Sequence, residues 1–125
     1  MVRRLAFLVI GCGIVLHAYT AFFKAAGPVN TFLLGLMLWS WLPYVASAVL
    51  LRVSKSAHAA LGAALFALGA DVAAFYSAFI HPTSSTAALG LLFMPLWNLL
   101  FFAPVGALLG WLISKRARPA EEPAP

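Results

Sequence analysis

Acidic side chains are almost absent from this sequence. Three occur in 125 residues, and two of them, Glu121 and Glu122, lie near its end, so Asp71 stands as a lone carboxylate within everything that precedes them. Charge of either sign is scarce at 9%, against 64% hydrophobic residues. A soluble domain carries about a quarter charged residues, and so few could not cover a solvated surface on a chain this small. The scarcity excludes a soluble helical domain and predicts an integral membrane protein. Cysteine is nearly missing as well: Cys12 alone permits no intramolecular disulfide and no cysteine metal cluster. No phosphate-binding glycine loop, HExxH motif or G-x-S-x-G nucleophile turn occurs, and no lysine falls inside an apolar run, Lys24 lying at an edge. An enzyme is therefore the least expected function class, and no cofactor is expected.

What is present is apolar sequence in four long runs, at about 5–23, 29–51, 57–80 and 86–113. Each is long enough to cross a hydrocarbon core of about 30 Å at about 1.5 Å per residue. The connections at 24–28, 52–56 and 81–84 are short, which forces neighbouring helices to run antiparallel. The fold class expected is all-α: a four-helix transmembrane bundle of up-down topology over residues 1–114. A basic, then proline-rich tail at 115–125 is expected to be disordered.

The net charge of +5 does not point to nucleic acid, because the basic residues sit beside apolar runs. With four spans, Arg3, Arg4, Arg52, Lys55, Lys115, Arg116 and Arg118 share one side, and only Lys24 takes the other. That asymmetry predicts both termini on the cytoplasmic side, lipid headgroups as a partner, and a bacterial inner (plasma) membrane as the location. The stretch "VIGC" before Gly13 resembles a bacterial lipoprotein cleavage box. The apolar run continues past it as "GIVLHAYTAFF", so an uncleaved first helix is expected.

Helix three carries a stripe of small residues. Steps of three and four from Ala60 give Ala64, Ala67, Asp71, Ala74, Ala78 and His81. Small side chains permit close helix approach, so this face, with Asp71 at its centre, is expected to meet protein rather than lipid. Counted inward from the basic side, His17 lies about 18 Å deep, Asp71 about 18–21 Å, Asn98 about 22 Å and Ser40 about 16 Å. One polar layer should thus take a residue from every helix: His17, Ser40, Asp71 and Asn98. Tyr44 and Ser47 continue the Ser40 stripe towards the basic side. An ionisable residue at this depth costs about 3 kcal/mol on insertion scales and marks either a ligand site or a polar clasp between helices. His58 and His81 fall at opposite edges, so no two histidines can share a haem iron, and one histidine with one aspartate makes a poor metal site.

Pro43, Pro95 and Pro104 should bend helices two and four, with Asn98 between two bends. The Thr83–Thr86 hydroxyls should cap helix four. Gly106 and Gly110 form a GxxxG pair, able to pack within the chain or against another copy. Trp39 and Trp41 fall mid-membrane, where packing is the expected role, and Cys12 is expected to be a small packing residue. Three function classes follow. The first is a helix-packing accessory or binding subunit in a larger membrane complex. The second is a small homo-oligomeric transporter or channel that handles a proton or cation through His17 and Asp71. The third, a membrane enzyme, would act on lipid or quinone-like substrates.

Overall fold

The computed structural model describes residues 1–25 and 27–117. Among these all regular structure is helical, with four helices long and apolar enough to cross a membrane: α1 (Val2–Lys24), α2 (Thr31–Val53), α3 (Ala57–Ile80) and α4 (Gly90–Arg116). This is a small membrane protein of four antiparallel helices. The start of α1, the end of α2, the start of α3 and the end of α4 meet at one end, hereafter the basic end. Lys24 marks the other.

The helix limits follow local chemistry. The side chain of Asn30 accepts a hydrogen bond from the Leu33 N–H at 2.9 Å and so caps α2. Pro82 ends α3, as expected from its missing N–H. Helix α4 departs from expectation at both limits. It starts at Gly90 after a single 3-10 turn over Ala87–Leu89, and its first turn receives no side-chain cap. The Ser84 and Thr86 hydroxyls instead bond one another at 3.3 Å. At its far end α4 runs on through Lys115 and Arg116, two residues of the segment expected to be disordered. Residues 118–125 of that tail lie outside the described residues.

Packing is closest between α3 and the basic half of α4. A Cβ added to Gly106 would collide with the Gly62 carbonyl, one added to Gly62 with the Gly106 carbonyl, and one added to Gly110 with the His58 carbonyl. The GxxxG pair is therefore spent inside the chain, backbone against backbone. Gly62, which lies outside both the alanine stripe and the GxxxG pair, completes it. On the adjoining face, Ala60, Ala64 and Ala67 are fully buried, against Ala6 and Leu51 at the basic end and against Val9, Ile10 and Tyr44 above them. The alanine stripe does not stay closed along its length: beyond Asp71, Ala74 and Ala78 are only half-buried. Cys12 is exposed on the outer surface of α1, not packed.

Three helices widen locally, α1 and α3 at their Lys24 ends and α4 at mid-length. Thr20–Lys24 of α1, Tyr76–Ile80 of α3 and Asn98–Phe102 of α4 form π turns. In each, the N–H of the following residue reaches back five positions: Ala25 to Thr20, His81 to Tyr76 and Ala103 to Asn98. Such turns are rare and concentrate at functional positions.

Candidate functional site

The expected polar layer exists, and Asp71 is its centre. The His17 Nε2 lies 2.9 Å from Asp71 Oδ2. The Tyr44 hydroxyl donates to the same oxygen at 2.6 Å. The Asn98 amide donates to Oδ1 at 2.8 Å. One side chain from each of the other three helices thus converges on a single carboxyl group, with donors at both of its oxygens. That set is complementary to a carboxylate, whose hydrogen bonds are shorter and stronger than neutral ones. Asp71, Tyr44 and Asn98 are buried to within 2%. The His17 side chain keeps 11% of its surface.

Local geometry explains each placement. Helical side chains lean towards the N-terminus of their own helix. Helix α2 runs from the Lys24 end towards the basic end, so Tyr44 leans back up into the layer from a position one turn below it. Gly13 gives the ring its room, since a Cβ there would strike the Tyr44 ring. The imidazole of His17 lies across the same ring, with centroids 5.9 Å apart and a tilt of 57°. Asn98 opens the π turn of α4 and also lies 3.5 Å from the Ala67 carbonyl. Its own Oδ1 is buried with no hydrogen-bond partner, which costs about 1–3 kcal/mol.

Ser40 does not join the cluster. It is buried at the expected level but lines a cavity on the far side of His17. This cavity, about 300 Å³, runs from Lys24 and Ala25 down to His17 and Ser40, between apolar walls that include Leu36, Met37 and Phe79. Eight residues of α1 separate Ala25 from His17, a depth of about 12 Å. His17 is thus the member of the cluster that faces the cavity, and Asp71 sits behind it.

The remaining candidates divide clearly. Ala60, Ala64 and Ala67 pack the helices, as do Gly106 and Gly110, whereas Ala74 and Ala78 do so only in part. Both mid-membrane tryptophans tie helices together: Trp39 donates to the Leu92 carbonyl at 3.1 Å and Trp41 to the Ile14 carbonyl at 3.2 Å. The Ser47 hydroxyl returns to the Pro43 carbonyl at 2.9 Å. His81 stacks on Tyr76 at 5.9 Å, far from His17. Among the described residues no three His, Cys, Asp or Glu side chains come together in a way that could hold a metal ion.

Sequence reasoning underrated Tyr44, the shortest contact in the cluster, because it assigned depth by Cα position. The length and backward lean of the side chain were the signal available. The cavity and the π turns had no sequence signal of comparable clarity. Comparison with protein-family models, curated proteins and solved structures finds no match to this chain. Its function must be argued from this geometry.

Proposed function

We propose that this protein is a membrane-embedded binding protein that takes a proton or small cation-coupled ligand through the cavity above His17, with Asp71 as the buried partner charge. One observation carries the reading. The cavity ends on an ionisable ring whose other face is hydrogen-bonded to a carboxyl group sealed from solvent. A group able to exchange protons with the cavity is thereby joined to one that cannot reach it directly. Histidine is the side chain suited to that role near neutral pH, and ionisable residues at this depth mark ion and proton pathways by default.

A path across one chain is incomplete in this reading. Below Asp71 the helices are closed by Ala64, Ala67 and Tyr44. Coupled movement therefore calls for a second copy or a rearrangement of the bundle, and a homo-oligomer in a bacterial inner membrane, with both termini cytoplasmic, is the assembly we favour.

The accessory-subunit reading, the first of the three expected from the sequence, stands second to it. It draws on Phe93, Trp97 and Phe101, which form an exposed aromatic face along α4. Lipid serves such a face equally well.

The test is proton uptake into proteoliposomes that hold a pH-sensitive dye, driven by a potassium diffusion potential. Uptake above protein-free vesicles is expected, with loss of that excess in both Asp71→Asn and His17→Ala at equal insertion. Uptake that survives in both variants, or no uptake in the parent protein, overturns the coupled reading. Native mass spectrometry of the protein extracted from its own membrane then separates a homo-oligomer from an accessory subunit bound to a different chain.

A further inference from the structure

We propose that the basic end carries a second site, one that binds a phosphate group in the pocket between the α2–α3 turn and the last turns of α4. This pocket, about 380 Å³, is lined by Ser54, Lys55, Ser56, Trp111, Ser114 and Lys115. It lies at the opposite end of the bundle from the cavity above His17, and the proposal stands independently of the function proposed there.

The side-chain cap of α3 is not made. Ser56 precedes α3 in the extended conformation, φ −109° and ψ 100°, the position from which a serine hydroxyl ordinarily accepts a first-turn N–H. Here it accepts none. Its hydroxyl is buried without any hydrogen-bond partner, although the residue lines the pocket and is only 6% exposed. The first-turn N–H groups of α3 have no side-chain acceptor either. An unpartnered hydroxyl thus adjoins the pocket at the start of α3, where it can donate. A serine hydroxyl moves between three staggered positions, so a single χ1 rotation turns it to a ligand.

Charge selects what would fill the space. Lys55 and Lys115 reach it from two different elements, and among the described residues Asp71, sealed in mid-bundle, is the only acidic side chain. Neither lysine makes an ion pair among those residues. Lys115 leans on Trp111, its Nζ 5.1 Å from the ring centroid, which holds it at the pocket rim. Two cations, the unpartnered Ser56 hydroxyl and the nearby positive end of a 24-residue helix combine donors with positive charge, and no carboxylate among the described residues neutralises them there. A phosphate supplies acceptor oxygens and negative charge together. The Trp111 ring adds an apolar wall at the depth where a headgroup gives way to glycerol and acyl chain. The phosphate can come from an anionic phospholipid or from solution.

The experiment uses the full chain in micelles doped with equal amounts of phosphatidylglycerol and phosphatidylcholine, with retained lipid read by native mass spectrometry. Retention of phosphatidylglycerol over phosphatidylcholine is expected at about fivefold or more, the effect of one lysine near an anionic surface. Lys55→Gln/Lys115→Gln should bring the ratio to parity. Arg3→Gln/Arg4→Gln, which removes equal charge from the same end, should leave it unchanged. Ser56→Ala should lower the ratio without lowering the melting temperature, because the hydroxyl makes no bond within the protein. In a lipid-free arm, a phosphate adduct formed with inorganic phosphate and lost in the double lysine variant, without any phospholipid preference, assigns the site to soluble phosphate. Absence of both preferences overturns the proposal. So does a preference that the Arg3/Arg4 variant loses, or one that neither the double lysine variant nor Ser56→Ala changes.

Discussion

The two halves of the bundle are built from the same apolar alphabet and pack differently. Towards the basic end, alanine packs α3 against α1 and α2, and glycine brings it to α4 so closely that carbonyls stand where a methyl group would clash. Towards the Lys24 end, α1 and α3 widen into π turns, the alanine stripe is half-open, and a cavity enters. Asp71 sits at the seam between them. The contrast teaches that rigidity and access are separable along a single helix. Small residues on one side of a buried charge fix its position, and wider turns on the other side let something reach it.

That contrast can be broken deliberately. The largest effect should come from crowding the closed half. Ala64→Leu inserts a branched side chain among fully buried neighbours and should cost about 3 kcal/mol by reversible unfolding in mixed micelles, whereas Ala78→Leu in the open half should stay within about 0.5 kcal/mol. Equal costs at the two positions would remove the distinction. Next is the seam itself. Asp71→Ala strands the Tyr44 and Asn98 donors in the membrane interior and removes the partner of His17, and should cost about 2–3 kcal/mol in the same assay. Smallest is Tyr44→Phe, which removes the hydroxyl but keeps the ring packed on Gly13. A loss of about 1 kcal/mol is expected, with His17 and Asn98 still holding the carboxyl group. A loss as large as that of Asp71→Ala would make Tyr44, not the cluster, the dominant element.

Much of this was readable in the residues. Four apolar runs and short polar connections specify the helices, since nothing but a helix satisfies its own backbone across lipid. The meeting of His17, Asp71 and Asn98 followed from counting rise per residue along antiparallel helices. Ser40 has the expected depth but lines the cavity instead of meeting Asp71, because depth does not determine direction around the helix axis. Gly62 was missed because it lies off the alanine stripe, on the face that meets α4; the open outer stripe has a related cause. A stripe drawn at constant helical spacing assumes constant twist, and three of the four helices change theirs.

The π turn of α4 shows what such a change accomplishes. Asn98 must face Asp71, and Gly106, eight positions on, must face Gly62. At about 100° per residue, eight steps of regular helix leave the two about 80° out of phase. The turn over Asn98–Phe102 takes up one surplus residue, and seven effective steps bring them within about 20° of each other. The extra residue acts as a phase correction. It lets one helix present a polar contact and a glycine contact to the same neighbour, where an unbroken α-helix would have to choose between them.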